Sequence, residues 1–267
     1  MIPAKFDYIK ATSVHHAVSL LSEHGYEAKI LSGGHSLLPA MKLRLNRPSV
    51  LIDIGGIEGL NGISEEGDTI VVGGNCTHHQ IARSEVVQQH INVLAEVASV
   101  IGDVQVRNRG TIGGSLAHAD PASDYPAIVL ASDATIEVTG SGGSRSIAAT
   151  DFFQGIFMTD LAEDEIITAV RFPKVSNGVY KKFFQSASRF AVVGCAAVKN
   201  GDGVKVGITG VSDTPYRATA VEQAYDGSSD ASKHAVDGVD VLDDHFASEE
   251  YRSHLARVFV KRALEAL

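Results

Sequence analysis

Residues 29–45 read KILSGGHSLLPAMKLRL and place two adjacent glycines, Gly33 and Gly34, between an apolar run and a segment of helical character. Residues 109–126, RGTIGGSLAHADPASDYP, contain a second such pair. Glycine is required where a turn adopts positive φ, and also where a ligand must touch the backbone. Successive N–H groups in a glycine turn form a concave donor site for an anion. The two pairs favour a ligand site about as strongly as they favour two ordinary strand-to-helix turns.

The familiar phosphate-binding motifs do not occur in the sequence. It contains neither G-x-x-x-x-G-K-[ST], the P-loop motif, nor G-x-G-x-x-G, the motif of the common dinucleotide-binding fold. A diphosphate held between two separate glycine loops therefore requires a different fold.

Length, composition and charge exclude several classes of protein. A chain of 267 residues with 44% hydrophobic content suits two or three compact units. The net charge of −9 disfavours nucleic acid as a main partner, because no basic excess is available to neutralise phosphates. No apolar run is long enough for a transmembrane helix, and the first residues lack the apolar core of a signal peptide. We therefore expect a cytoplasmic location.

The two cysteines, Cys76 and Cys195, are far apart in the sequence. Buried, reduced thiols are the expected state of both. Two lone cysteines hold neither an iron–sulfur cluster nor a structural zinc ion by themselves.

No motif of a metal or hydrolase site is present. The pairs His15–His16 and His78–His79 lie outside any H-E-x-x-H or cysteine-rich setting, so we expect them on the surface or on a helix face. A triad of Ser36, His118 and Asp124 lacks the G-x-S-x-G elbow that would support it. We expect no metal site and no catalytic residue in this chain.

Strand and helix patterns predict an α+β fold with a domain boundary near residue 175. Apolar residues at helical spacing predict helices over residues 12–24 and 78–101. Apolar runs predict strands over residues 28–34, 49–57, 68–77 and 165–174, and at the end of 124–140. After the boundary, three strand-like segments, with the turn NGDG at 200–203, predict a small antiparallel sheet followed by helices.

Three stretches together carry a family resemblance: KILSGGHSLLPAMKLRLNRP, QVRNRGTIGGSLAHADPASDYP and EIITAVRFPK. In this order they resemble the FAD-binding medium subunits of molybdenum hydroxylases, which include carbon monoxide dehydrogenase and the flavin domain of xanthine dehydrogenase. The resemblance implies a two-lobed FAD-binding domain of the vanillyl-alcohol-oxidase (PCMH) type over residues 1–175, with lobes at about 1–57 and 58–175. It also implies a small C-terminal domain, residues 176–267, with a three-stranded antiparallel sheet and helices.

The resemblance further implies one FAD site built from two loops and a few flanking residues. The first loop, against the FAD diphosphate, comprises Lys29, Ile30, Leu31, Ser32, Gly33, Gly34, His35 and Ser36. The second loop, which closes on the diphosphate from the other lobe, comprises Thr111, Ile112, Gly113, Gly114 and Ser115. The flanking residues are Ile101, Asp124, Ile167 and Lys182.

The flanking residues have different implied roles. In the family an acid at the position of Asp124 bonds to FAD hydroxyls, although a plain helix cap explains this residue as well. Ile101 and Ile167 match apolar positions that line the cofactor. Lys182 matches a lysine near the flavin ring, where a cation favours the anionic reduced flavin and raises its potential. The adjacent Lys181, or a merely solvated charge at Lys182, is the alternative.

Five further residues near the motifs have open roles. His35 and His118 either contact the cofactor or pack within the loops. Arg107 and Arg109 either pair with acids or counter the diphosphate charge. Phe190 either lies beside the flavin ring or belongs to the core.

The chain departs from the family pattern at two loop positions. Ser32 stands where relatives often have alanine, and Ser115 stands where they often have asparagine. Serine is small enough to fit at position 32, and at position 115 it changes a possible hydrogen bond. Gly114 is expected to adopt positive φ, which a branched side chain does not tolerate.

As a whole, the resemblance implies an electron-transfer flavoprotein subunit of a molybdenum-containing oxidoreductase. Its FAD receives electrons from [2Fe–2S] clusters in a small subunit, while a molybdopterin-type cofactor in a large subunit oxidises the substrate. A dimer of heterotrimers is the expected assembly. Related complexes act on carbon monoxide, aldehydes, purines or N-heterocycles, so the substrate and the final acceptor stay open. The alternatives are a self-sufficient FAD-dependent oxidase or dehydrogenase of the same fold, and a non-enzymatic nucleotide-binding module.

Overall fold

The computed structural model describes residues 2–267, the side chain of Asn200 excepted. Within that range the chain forms a three-stranded, a five-stranded and a four-stranded sheet, together with a two-stranded hairpin. Three buried apolar clusters lie mainly against these three larger sheets, and the C-terminal sheet also contributes Tyr180, Ala196 and Val198 to the central cluster. Of the helices in this range, none combines the length and the apolar character that a membrane span requires.

The N-terminal sheet is parallel and has strand order β1-β3-β2. Its elements are β1 (Asp7–Lys10), α1 (Val14–His24), β2 (Ala28–Leu31), α2 (Leu37–Lys42) and β3 (Val50–Asp53). Ser13 caps the start of α1, since its hydroxyl accepts the backbone N–H of His16 at 3.0 Å. Because the strands run in parallel, β2 delivers the first glycine loop to the sheet edge at which β1 and β3 also end.

The central sheet is antiparallel and has strand order β4-β5-β10-β6-β7. The strands of this region are β4 (Ile63–Glu66), β5 (Thr69–Gly73), β6 (Thr135–Gly140), β7 (Gly143–Ala148), the hairpin β8 (Phe153–Gly155) and β9 (Met158–Thr159), and β10 (Ile166–Pro173). Its helices are α3 (His78–Arg83), α4 (Glu85–His90), α5 (Asn92–Val100), α6 (Val104–Arg107), α7 (Ile112–His118), α8 (Tyr125–Ala131) and α9 (Ala149–Phe152). These helices and the sheet enclose the largest apolar cluster.

The helical character predicted for residues 78–101 is confirmed, and the segment is divided into the three helices α3, α4 and α5. Ser84 has extended backbone angles, and its hydroxyl accepts the Val87 N–H at 3.3 Å to begin α4. Ile91, with φ −154° and ψ 62°, separates α4 from α5. A side chain that bonds its own backbone competes with helix continuation, and the apolar spacing across the break conceals this.

The C-terminal domain is a second α+β unit. Its strands and α-helices are β11 (Gly178–Phe184), β12 (Ala191–Asn200), β13 (Gly203–Thr209), β14 (Tyr216–Arg217), α10 (Thr219–Ala224) and α11 (Glu249–Leu264). A 3₁₀ helix lies at Ser229–His234 in this domain, and another lies at Gly25–Glu27 in the N-terminal region. The predicted antiparallel strands and the turn at 200–203 are confirmed, since Asn200 pairs with Gly203. The two-residue strand β14 adds a fourth member to the expected three-stranded sheet.

The C-terminal domain is joined to the chain segment that follows the second glycine loop. The Thr209 hydroxyl lies 2.6 Å from the carbonyl oxygen of Pro121 and 2.8 Å from that of Ser123. The Gly210 N–H donates to the Pro121 carbonyl at 2.7 Å. These bonds hold Asp124, the next residue, against the C-terminal sheet.

Candidate functional site

The two glycine loops lie in direct contact. A Cβ atom on Gly33 would overlap the carbonyl oxygen of Arg109 and come within 2.8 Å of the Gly110 Cα. Gly34 adopts φ +76°, which L side chains rarely tolerate. Close approach of the opposite loop therefore excludes a side chain at Gly33, and backbone conformation favours glycine at Gly34.

The first loop leaves a run of backbone donors unused. Within residues 2–267, the N–H groups of Gly33, Gly34, His35 and Ser36 have no hydrogen-bond partner. The first two residues are half-buried, and the last two are exposed. Successive free donors of this kind form an anion-binding concavity.

The second loop uses its donors within the protein: two of them bond oxygens of the segment that follows β5, and two bond Thr111, the residue that caps α7. The N–H groups of Ile112, Gly113, Gly114 and Ser115 donate to protein oxygens at 3.0, 2.8, 3.1 and 3.0 Å respectively. Thr111 is the N-cap, with its hydroxyl accepting the third of these bonds. The expected positive φ at Gly114 is wrong, since this residue has helical backbone.

Two hydroxyl groups on the loops are available to a ligand. Those of Ser36 and Ser115 have no partner in the part of the chain that the structure describes, and Ser36 does not cap α2. His35 Nδ1 lies 3.1 Å from the carbonyl oxygen of Gly33, so this exposed ring packs on its own loop. Lys29 and Ile30 lie in β2 ahead of the turn, with the Lys29 side chain exposed.

Ser32 bridges the loops through Asn75, which the sequence did not indicate. The Ser32 hydroxyl lies 2.6 Å from Asn75 Oδ1 and 2.9 Å from the Thr111 hydroxyl. Asn75 follows β5, outside both glycine loops, and no residue pattern around it signals a role.

A buried ion pair joins two of the flanking residues, Asp124 and Lys182. Lys182 Nζ lies 2.8 Å from Asp124 Oδ1, and the two side chains are only 6% and 4% exposed. The Tyr180 hydroxyl donates to the same carboxylate at 2.6 Å, and Lys182 Nζ lies 3.4 Å from the carbonyl oxygen of Val100, beside Ile101. Burial raises the pKa of Asp124 above its usual range, against the opposing effect of the lysine and the tyrosine. Lys182 is therefore neither solvated nor a free cation.

His78 supports the second loop from beneath. Its backbone N–H donates to the Gly110 carbonyl at 3.0 Å, and its ring Nδ1 lies 3.0 Å from the Tyr125 hydroxyl. Burial lowers the pKa of this imidazole to about 3, so the ring is neutral at pH 7. Of the two expected positions, surface or helix face, His78 takes a helix face, since it is the buried first residue of α3, whereas His79 is exposed on the surface.

The remaining candidates divide between the core and the surface. Ile167 lies in the core of the central region, with 5% of its surface exposed. Arg107 donates to the carbonyl oxygens of Ile101 and Gly102, both at 3.0 Å, and so fastens a loop. Phe190 is 43% exposed and does not belong to the core.

His118 and the exposed Arg109 complete the surroundings of the second loop. The His118 ring lies 5.0 Å from that of Phe157, and burial lowers its pKa. Both cysteines are buried and free, as expected. In residues 2–267 no group of three His, Cys, Asp or Glu side chains is placed to hold a metal ion.

The loops fit a dinucleotide that carries a diphosphate. Four free N–H groups and two free hydroxyls supply donors, and glycine at the contact lets the loops approach closely. Two clefts, of about 530 and 620 Å³, lie away from this site, beside the start of α1. Neither cleft is lined by a residue of the two glycine loops.

Comparison with known families indicates which dinucleotide the domain binds. Residues 4–175 match the FAD binding domain in molybdopterin dehydrogenase, and residues 178–267 match the CO dehydrogenase flavoprotein C-terminal domain. The chain belongs to this flavoprotein family. The FAD implied by the resemblance is thus the cofactor of the domain family, and the free donors of the first loop suit its diphosphate.

Members of the flavoprotein family with established names align over nearly the whole chain. The carbon monoxide dehydrogenase medium chain of Hydrogenophaga pseudoflava is 38% identical over 100% of this chain and 98% of its own length. The glyceraldehyde dehydrogenase medium chain of Sulfolobus acidocaldarius is 33% identical over 99% of both chains. These relatives are named as parts of multi-subunit oxidoreductases that act on different substrates.

Solved structures of the flavoprotein family confirm the fold class. A carbon monoxide dehydrogenase from Hydrogenophaga pseudoflava, which lacks the Mo-pyranopterin moiety of its molybdenum cofactor, matches with a TM-score of 0.95 at 40% identity. That match covers 100% of this chain and 98% of the other. The quinoline 2-oxidoreductase of Pseudomonas putida 86 matches with a TM-score of 0.93 at 28% identity, with the same coverage.

Proposed function

We propose that this chain holds one non-covalent FAD between its two glycine loops and serves as the electron-transfer subunit of a molybdenum-containing oxidoreductase complex. The observation that carries the site is the run of N–H groups at Gly33, Gly34, His35 and Ser36, which have no protein acceptor among residues 2–267. The diphosphate would accept from these groups, with the hydroxyls of Ser36 and Ser115 beside them. The apolar Ile101 and Ile167 are assigned to the lining of the site.

The bound FAD would supply redox chemistry, accepting electrons from an iron–sulfur donor and releasing them to an external acceptor. The residues of the chain bind and orient this cofactor, and none is assigned as a catalytic acid or base. Asp124 and Lys182 are assigned to the flavin side of the site, where their close pairing leaves little net charge. Lys182 is favoured over Lys181 because its ammonium group is the one held inside.

We further propose the partners and the division of the chain. A small subunit would carry the [2Fe–2S] clusters and a large subunit the molybdenum cofactor, in a dimer of heterotrimers in the cytoplasm. The two family matches support domains at residues 1–175 and 176–267. The separate N-terminal and central sheets support lobes at about 1–57 and 58–175.

Purification of the chain tests the cofactor. The protein should be yellow, and acid precipitation should release all the flavin into the supernatant, because no residue is assigned to covalent attachment. A colourless chain that binds no added FAD would refute the site. Flavin that stays in the pellet would refute the non-covalent attachment.

Coexpression with the small and large subunits tests the role. The complex should reduce this FAD when its substrate is added, and the chain alone should oxidise no organic donor. If the chain alone turns over a donor at about 1 s⁻¹ or faster, as enzymes typically do, a self-sufficient oxidase replaces the proposal.

A further inference from the structure

A line of side-chain hydrogen bonds connects the two glycine loops beneath their contact. The Ser32 hydroxyl lies 2.6 Å from Asn75 Oδ1 and 2.9 Å from the Thr111 hydroxyl. At one end Asn75 Nδ2 donates to the Ile54 carbonyl at 2.7 Å, and at the other the Gly114 N–H donates to the Thr111 hydroxyl at 3.1 Å. Asn75 and Thr111 are 7% and 6% exposed, so water competes little for these bonds.

The chemistry of the groups determines the direction of every bond. The Ile54 carbonyl only accepts, so Asn75 must turn its amide nitrogen toward Ile54 and its Oδ1 toward Ser32. Because Oδ1 has no hydrogen, Ser32 donates to it, and the Thr111 hydroxyl must then donate to Ser32. The lone pairs of Thr111 remain for the N–H of Gly114. One arrangement satisfies all four hydrogen bonds, and loss of one side chain leaves its neighbours unpaired.

These side chains provide the hydrogen bonding that joins the loops. Within residues 2–267, no backbone hydrogen bond runs between the segments 32–36 and 109–115. The first loop therefore depends on Ser32 for its hydrogen bonding to the second loop, while van der Waals contact at Gly33 sets the closest approach. A loop whose next four N–H groups are free for a ligand needs such an anchor if those groups are to stay in place.

We propose that Ser32 and Asn75 are positioning residues that hold the two loops at the spacing the FAD diphosphate requires before the cofactor arrives. This inference rests on the proposed FAD site. A site organised in advance binds more tightly because less ordering accompanies binding. Neither side chain needs to touch the cofactor, since both act through the first loop and through Thr111.

The test uses the full chain, stripped of flavin, and measures the Kd for FAD by flavin fluorescence. The variants are Ser32→Ala, Asn75→Ala and the double variant, and each single change should raise the Kd about five- to tenfold. The Kd of the double variant should be no higher than the higher of the two single-variant Kd values, because both changes break the same line of bonds. ADP, which has the diphosphate but no flavin, should lose affinity by the same factor when it competes with FAD.

Two further measurements separate positioning from general destabilisation. The control Ser132→Ala removes a buried hydroxyl that donates to the Ile128 carbonyl at 2.7 Å, away from the loops, and should leave the Kd unchanged. The reduction potential of bound FAD should not change in any variant, because the line of bonds lies at the diphosphate and not at the ring. If Asn75→Ala fails to fold, Asn75→Leu fills the volume without the bonds and should show the same rise.

Three outcomes would overturn the inference. Wild-type affinity in both single variants would show that the line of bonds does not organise the loops. A loss confined to Ser32→Ala would identify Ser32 as a direct ligand. An equal loss in Ser132→Ala would indicate general destabilisation. A wild-type chain that binds no FAD refutes the proposed function itself, whereas normal binding with unaffected variants refutes this inference alone.

Discussion

The two glycine loops have almost the same sequence signature and do different work. The first loop, SGGHS, follows β2, and four of its successive N–H groups have no protein partner within residues 2–267. The second, TIGGS, begins α7 and spends its N–H groups on protein oxygens. The first loop thus supplies the free N–H donors, and the second loop packs against the first and holds it in position.

The difference shows that a glycine pair indicates close packing of the backbone more directly than it indicates a ligand. Gly33 is required by the backbone of Arg109 and Gly110, and Gly113 by the carbonyl of Gly74. The stronger indicator of a ligand is a set of backbone donors that the fold leaves unpaired. The second loop is also the better anchored, through His78 and through the segment leading to Asp124.

The largest expected effect is loss of the anchor at Asp124. Lys182→Ala leaves a buried carboxylate unpaired, so the free energy of unfolding should fall by about 3–5 kcal/mol. Denaturant titration of the flavin-free chain measures this. The control Lys261→Ala removes an exposed lysine 3.8 Å from Glu265 and should cost under about 1 kcal/mol. A loss equally small for Lys182→Ala would show that the second loop has no such anchor.

Next in size is separation of the loops at their contact. Gly33→Ala drives a methyl group into the backbone of Arg109, so FAD affinity should fall about 100-fold, or about 2.8 kcal/mol. The methyl group of Gly114→Ala meets side chains and no backbone, namely the Thr111 hydroxyl at 2.8 Å and the Ser32 Cβ at 4.0 Å, and should cost less. Gly62→Ala, which meets no atom within 4 Å, is the matched control. An affinity ranking with Gly114→Ala as the more damaging change would reverse the roles assigned to the loops.

Acid should loosen the second loop through His78. Its pKa of about 3 in the folded chain lies below the usual 6.5, so the folded state resists the proton that the unfolded state binds. Stability from this group is therefore complete above pH 6.5 and is lost as the pH falls toward 3, by on the order of 2 kcal/mol at pH 5. Unfolding curves at pH 7 and pH 5 should diverge less in His78→Asn than in the wild type or in His79→Asn. Equal slopes in all three proteins would show that His78 is not neutral in the fold.

The smallest effect distinguishes the free hydroxyls. Ser36→Ala and Ser115→Ala each remove a hydroxyl without a protein partner in the described residues, so thermal unfolding of the flavin-free chain should not change. Each should raise the Kd for FAD about threefold, as expected for the loss of one hydrogen bond. Unchanged affinity together with a lowered Tm would mean that these hydroxyls serve the fold.

Much of the architecture was predictable because local patterns agree with it. The strands β2, β3, β5 and β10 and the C-terminal hairpin follow from apolar runs and turn residues. The helical character of residues 78–101 was predictable as well, but its division into three helices was not, because Ser84 interrupts the segment without disturbing the apolar period. The candidate loops were found from their glycines and the family resemblance, whereas Asn75 and His78 gave no usable signal. Their roles depend on neighbours distant in sequence, such as Ser32 and Tyr125.

By itself, the sequence determined the order of the elements, the family and the two loops in question, since these depend on short-range periodicity, turn chemistry and recognisable motifs. Only the tertiary structure decided which loop keeps its donors free, since Ile112 and Gly113 find their acceptors on Cys76 and Gly74, which lie far from them in the sequence. It likewise decided that Lys182 is paired and not free, because Asp124 lies 58 residues away and meets it only when the C-terminal sheet docks. Hydrogen-bond satisfaction and burial are properties of the packed chain, and contacts between distant segments determine both.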